Sequence, residues 1–90
     1  MTQSDSQQVI HDHDGQRFVL TLEGEEVVLK YRQPDDQTID FYSTYTPRAL
    51  RGRGLARVVV EAGLAYARAE SLRIIATCSY VAHVLENQAQ

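Results

Sequence analysis

The sequence predicts an α+β fold: an antiparallel meander of about four strands, then a βαβ unit whose fifth strand runs parallel to the fourth. Three observations carry this. Between Val9 and Thr46 apolar residues recur at alternate positions in short runs, broken at Asp14-Gly15, Glu23-Gly24 and Pro34-Asp35-Asp36, as in strands joined by tight turns. From about Gly54 to Glu70 the spacing lengthens to that of one amphipathic helix. A short β-rich run, Leu72 to Thr77, follows it, and a strand reached through a helix pairs in parallel with the strand before.

Val9 to Asp12 is the first expected strand, and Asp-Gly after it is a strong hairpin signal. His11 and His13 alternate there and so share a face. A metal pair is one reading, but no third ligand is evident nearby, and a polar, solvent-facing edge strand is the simpler account. Arg17 to Leu22 is the second strand, with Phe18, Leu20 and Leu22 on one face. Glu25 to Gln33 is the third; Val27, Leu29 and Tyr31 face one way, and Pro34 should end it. The fourth, Thr38 to Thr46, would place Ile39, Phe41, Ser43 and Tyr45 on one side.

Steps of about 100° per residue put Leu55, Val59, Ala62, Tyr66 and Ala69 on a single stripe of the long helix, expected to pack on the sheet. Val60 and Leu64 fall toward the polar side, as exposed apolar surface or as a contact with another chain. After the fifth strand, Ser79 should cap a short helix, Tyr80 to about Glu86, that buries Val81, Val84 and Leu85. The polar residues 87–90 would fray.

Ninety residues support one core and leave too little chain for a second. Residues 1–8 read as a flexible tail and residues 9–90 as a single domain. A formal net charge of -3 argues against general nucleic-acid binding. One cysteine, Cys78, cannot form an internal disulfide, and no run approaches the apolar length of a membrane span. The expectation is a cytoplasmic protein with no membrane and no nucleic-acid partner, as a monomer or weak dimer.

Charge is unevenly spread. Most of the acids precede residue 41, whereas Arg48, Arg51, Arg53 and Arg57 fall within ten residues that hold no carboxylate. Gly52 and Gly54 lie among them, at the junction of the fourth strand with the long helix. Glycines let a backbone turn sharply against a ligand, and the first turn of a helix offers unpaired N–H groups at the positive end of its dipole. Such a junction suits a phosphate or pyrophosphate, although a solvated basic loop has the same composition. The dinucleotide fingerprint G-x-G-x-x-G fails, because Arg57 stands where its third glycine should be, and the Walker-type loop is absent.

Arg51-x-x-Gly54-x-Ala56 matches the R/Q-x-x-G-x-G/A turn of Gcn5-related N-acetyltransferases. Together with Tyr45-Thr46-Pro47, Ala67-Arg68 and the run from Ile74 through Cys78-Ser79-Tyr80-Val81, the chain resembles the small, single-domain branch of that superfamily over residues 9–86. It departs from the branch in carrying Ala76 where a proline usually stands two residues before the cysteine, and in lacking a His-Pro after the last helix. The resemblance implies a minimal acetyltransferase-like fold that binds acetyl-coenzyme A as cosubstrate. Its pyrophosphate would sit on the turn, at Arg51, Gly52, Arg53, Gly54, Leu55 and Ala56. Its pantetheine would pair with Thr44, Tyr45 and Thr46 in the manner of an added strand.

The implied activity is acetyl transfer to an amine; no segment matches the substrate lid of larger relatives, and an open acceptor side suits a protein or peptide amine or no acceptor at all. A binding module that takes acyl-coenzyme A without turnover fits the same residues. Tyr80 is the candidate acid for the departing thiolate, and Asp40 a weaker candidate base. Cys78, at the end of the fifth strand, is the candidate nucleophile, since a nearby helix start can lower a thiol pKa; its alternative is a small buried core residue. His83 reads as a proton carrier or as a polar residue on an exposed helix face.

Overall fold

The computed structural model describes residues 8–88. The tail expected over residues 1–8 therefore lies outside the described residues save for Gln8, as do Ala89 and Gln90. Strands β1 (Val9–Asp12), β2 (Arg17–Leu22), β3 (Glu25–Asp35), β4 (Thr38–Tyr45) and β5 (Arg73–Ala76) form one sheet in chain order. The first four are antiparallel, and β5 joins β4 in parallel through α1 (Leu55–Ala69). Helix α2 (Ser79–Gln88) follows. Both helices contribute to the same core, on one face of the sheet.

The β2–β3 connection shows why the meander forms. Glu23 and Gly24 both have positive φ, 55° and 78°, as a two-residue hairpin requires to match the twist of its strands. β3 runs two residues past its expected end and includes Pro34. The ladder shifts register between Arg32 and Asp35, and at such an irregularity proline forfeits no ladder bond.

A second register shift has more consequence. Lys30 pairs with Ser43 but Tyr31 with Phe41, so Tyr42 is an extra residue on β4, a bulge. It reverses the alternation expected for that strand. Ile39 and Phe41 are fully buried, but Thr44, rather than Ser43 or Tyr45, returns to the helical side, opposite Leu29 and beside Cys78. Tyr45 instead joins Ile10, Val19 and Val28 in a cross-strand row on the face without helices.

Helix α1 is rotated by about a quarter-turn from the expected stripe. Leu55 and Val59 are buried as expected, but their companions are Val60, Gly63, Leu64 and Ala67, whereas Ala69 is exposed and Tyr66 half-buried. Val60 and Leu64 are core, not surface. Burying the larger aliphatic side chains removes more apolar area from water than burying alanines, and Gly63 lets the helix press close on the sheet. A Cβ there would stand 2.6 Å from Leu29 Cδ2 and 3.0 Å from Phe41 Cε1. Tyr66 sits at the rim, its ring 4.4 Å from that of His11, where an amphipathic ring keeps its hydroxyl near water. At the C-terminus, α2 continues through Asn87 and Gln88 rather than fraying, and Gln88 accepts a 2.7 Å bond from Arg68 of α1.

Gly63→Ala should therefore destabilise the domain although alanine is the better helix former. Overpacking costs about 1–3 kcal/mol against a propensity gain of about 1 kcal/mol. A lower urea midpoint at unchanged slope is expected; a raised midpoint would show that the helix does not rest on Leu29 and Phe41.

Candidate functional site

The junction between β4 and α1 is built from its anchor outward. Pro47 and Leu50 are buried around a single turn of 3₁₀ helix, Arg48–Leu50, which fixes where the chain re-emerges. Arg51 Nε donates to the Thr46 carbonyl at 3.0 Å and so ties the loop back to the end of β4. Gly52 and Gly54 then take φ values of 83° and 75°, and a Cβ on either would meet nothing within 4 Å. The glycines are there for conformation, and the space beside them is open.

Gly54 is the residue before α1. It offers no side-chain cap, and the helix has no acid in its first turn. The opening N–H groups of a 15-residue helix are thus left for a ligand or for water. A groove of about 210 Å³ lies over them, lined by Thr46, Arg51, Gly52, Gly54, Leu55 and Ala56, with Tyr80 of α2 on its far wall. Arg53 is turned elsewhere: its guanidinium forms two bonds, 3.0 and 3.2 Å, to the Glu23 carboxylate on the β2–β3 turn.

The second part of the site is a fork in the sheet. β4 and β5 pair over four rungs, Thr38 with Arg73 through Phe41 with Ala76. One more bond, Cys78 N–H to the Phe41 carbonyl at 3.0 Å, closes the fork. Beyond it β4 continues as Tyr42–Tyr45 with no rung to β5. Asp40 pins the crotch from the other face. Its carboxylate accepts from the Thr77 amide at 3.3 Å and from the Thr77 hydroxyl at 3.0 Å, and Arg32 Nε approaches at 3.4 Å. Both Asp40 oxygens are therefore committed to holding β5.

Cys78 lies at the crotch and opens α2. Its carbonyl accepts the Ala82 N–H at 3.0 Å, the first bond of the helix, so Cys78, not Ser79, occupies the capping position. Sulfur takes the role a serine oxygen usually has, accepting from the amides of Val81 and Tyr80. From β4, the Thr44 amide also reaches the sulfur, and Thr44 Oγ1 is 3.5 Å away. Burial pushes the Cys78 thiol up, but the bonds from Thr44, Val81 and Tyr80 outweigh it and bring the thiol below its ordinary range. The bulge at Tyr42 makes this possible, since it alone turns Thr44 toward the helices.

Elsewhere the structure departs from a solvent-facing β1. His11 is half-buried, its ring stacked 4.1 Å from that of Phe18 and its Nε2 2.6 Å from the Tyr31 hydroxyl. Burial and the neighbouring His13 hold His11 below the ordinary histidine range. Among the described residues no cluster of three His, Cys, Asp or Glu could hold a metal ion. A larger hollow, about 590 Å³, lies beside this hairpin, but no helix start and no glycine of positive φ faces it. His83 is on an exposed face of α2, bonded to Asn87 at 3.3 Å, and does not line the groove. Among the described residues no helix is long and apolar enough to cross a membrane.

A family model for GCN5-related N-acetyl-transferases matches residues 17–90. The chain belongs to the GCN5-related N-acetyltransferase family. It is similar to Protein NATD1 of Xenopus tropicalis, 34% identical over 90 residues, which span 97% of this chain and 83% of the relative. Protein NATD1 of Gallus gallus is 35% identical over 83 residues, 89% and 76% of the two chains. That of Homo sapiens is 34% identical over 82 residues, 88% and 73%. The five-stranded mixed sheet with two helices is a minimal form of this family's fold.

Sequence reasoning singled out the turn, Cys78 and Tyr80, but not Glu23 as the partner of Arg53, nor Thr77 as the partner of Asp40. Both are pairings of distant residues that leave no local pattern. Thr44 was expected through its backbone alone; its side chain reaches the sulfur because of a bulge that no turn residue announces.

Alkylation of Cys78 by iodoacetamide should follow the thiolate, which exists above its pKa and is lost as pH falls through it. The midpoint should lie below that of the same chain unfolded in urea, and Thr44→Val should raise it. A midpoint at or above the unfolded value would remove the donors from the account.

Proposed function

We propose that this chain transfers an acetyl group from acetyl-coenzyme A to an amine of a protein or peptide, by way of Cys78. The observation that supports the reading is that the uncapped start of α1, with no acid in its first turn, shares its groove with Tyr80 in the first turn of α2, the helix that Cys78 opens. The α1 amides around Gly54, Leu55 and Ala56, with Arg51 beside them, would hold the pyrophosphate. The edge of β4 from Thr44 through Thr46, which has no rung to β5, would take the pantetheine amides. The coenzyme would there compete with the Cys78 sulfur for the Thr44 amide and with Arg51 Nε for the Thr46 carbonyl.

Acetyl-coenzyme A supplies an activated thioester. The Cys78 thiolate would attack its carbonyl carbon, forming a new S–C bond, while the bond from that carbon to the coenzyme sulfur breaks and the sulfur leaves with the electron pair. Tyr80, on the groove wall, would give that departing thiolate a proton and regain one from solvent. The acceptor amine would then attack the acetyl carbon on Cys78, displacing the cysteine thiolate, and the new amide loses its extra proton to solvent. The described helices lie on one face of the sheet, and Tyr45 at the end of β4 is exposed on the other, a surface that suits an acceptor as large as a peptide. A binding module without turnover uses the same groove; turnover separates the two.

Titration calorimetry with acetyl-coenzyme A tests the groove. Aspartate at Gly54 has room for its side chain and costs about 1 kcal/mol for its left-handed backbone, so Gly54→Asp should fold yet bind at least about tenfold more weakly. Equal affinity would remove the turn from the site. In the same samples, intact mass should show one acetyl group on wild type and none on Cys78→Ala, and the adduct should decay when an amine peptide is added. Full transfer by Cys78→Ala would leave direct attack by the amine; binding without thiol release would leave the module.

A further inference from the structure

Arg53 belongs to the phosphate-binding turn by sequence, yet its side chain is not on the groove. It is held by Glu23, 30 residues away in the chain, through two nearly equal bonds of 3.0 and 3.2 Å. This two-point geometry is the one an arginine offers to a phosphate group. Glu23 presents its carboxylate from a tight hairpin in which it and Gly24 both take positive φ, so the carboxylate approaches from a rigid base. Arg53 sits between two glycines of positive φ, Gly52 and Gly54, with open space around both.

We propose that Glu23 competes with the coenzyme's phosphate groups for Arg53, making this carboxylate a determinant of coenzyme affinity; the inference rests on the acetyl-coenzyme A reading above. Both side chains of the pair are near half exposed, 44% and 55%. An ion pair so wetted is weak, and a pyrophosphate, with one charge on each phosphate, beside a helix start can outbid it. Binding then hands the guanidinium from carboxylate to phosphate. Glu23 lowers affinity by the work of that exchange and gives the turn a resting partner that keeps Arg53 off other anions.

The alternative is that the pair braces the turn in its binding shape, and the two accounts differ in sign. With the full chain and acetyl-coenzyme A as the titrant, Glu23→Gln should bind about two- to fivefold more tightly. Glu23→Asp keeps the charge but falls one methylene short of two-point pairing, so it should share part of that gain. Arg53→Ala should bind more weakly than wild type, and adding Glu23→Gln to it should bring no gain. Weaker or unchanged binding by Glu23→Gln overturns the inference, as does a gain that persists without Arg53 or is absent from Glu23→Asp. If Gly54→Asp abolishes binding while the Glu23 variants equal wild type, the groove stands and only the competition fails. If wild type itself does not bind, both readings fall.

Discussion

The site depends on where one set of hydrogen bonds stops. β4 and β5 are held in parallel from Thr38 to Phe41, and the Cys78 amide adds a last bond to the Phe41 carbonyl. A parallel pair left to itself would zip further, since each unpaired backbone group near a core carries a cost. Here β5 ends at Ala76 and the chain turns into α2, with Asp40 fastening Thr77 at the point of departure. β4 therefore runs on with no rung to β5. The interruption sets Thr44 against the sulfur of Cys78 and leaves Tyr80 of α2 facing the uncapped start of α1 across the groove.

The two helix starts are treated in opposite ways, and the contrast accounts for the division of labour between them. α1 begins on a glycine, so its positive end has neither a capping side chain nor an acid in its own first turn, and an anion is favoured there. α2 begins on Cys78, whose sulfur already takes amide bonds that would otherwise seek an oxygen. The same physics that makes the first a cradle for phosphate makes the second a stabiliser of thiolate. Packing fixes the distance between the two, through Leu50, Leu55, Val81 and Val84 in one core.

Most of the architecture was legible because it is local. The two-residue turn at Glu23-Gly24 and the alternation on either side of it marked β2 and β3, and the parallel placement of β5 followed from the helix that leads to it. What the sequence hid was either rotational or distant. The facing of α1 depends on how closely Gly63 lets the helix approach Leu29 and Phe41, a property of the sheet rather than of the helix. The inward turn of Thr44 depends on an extra residue at Tyr42, where nothing but a register count reveals a bulge. Cys78 was singled out by its position, but not as the cap of α2, which its carbonyl bond from Ala82 reveals, because Ser79 is the better capper by residue type.

The central claim is that the fork and both helix starts form one ligand site. Amide chemical-shift mapping of the folded chain during titration with acetyl-coenzyme A tests it most directly. The account predicts that the largest shifts fall together on Thr44, Gly54, Leu55, Ala56, Cys78 and Tyr80, from both sides of the fork, while His11 and His13 at the far hairpin remain unchanged. Shifts centred on the β1–β2 hairpin, or confined to the loop with Thr44 and Cys78 silent, would contradict it.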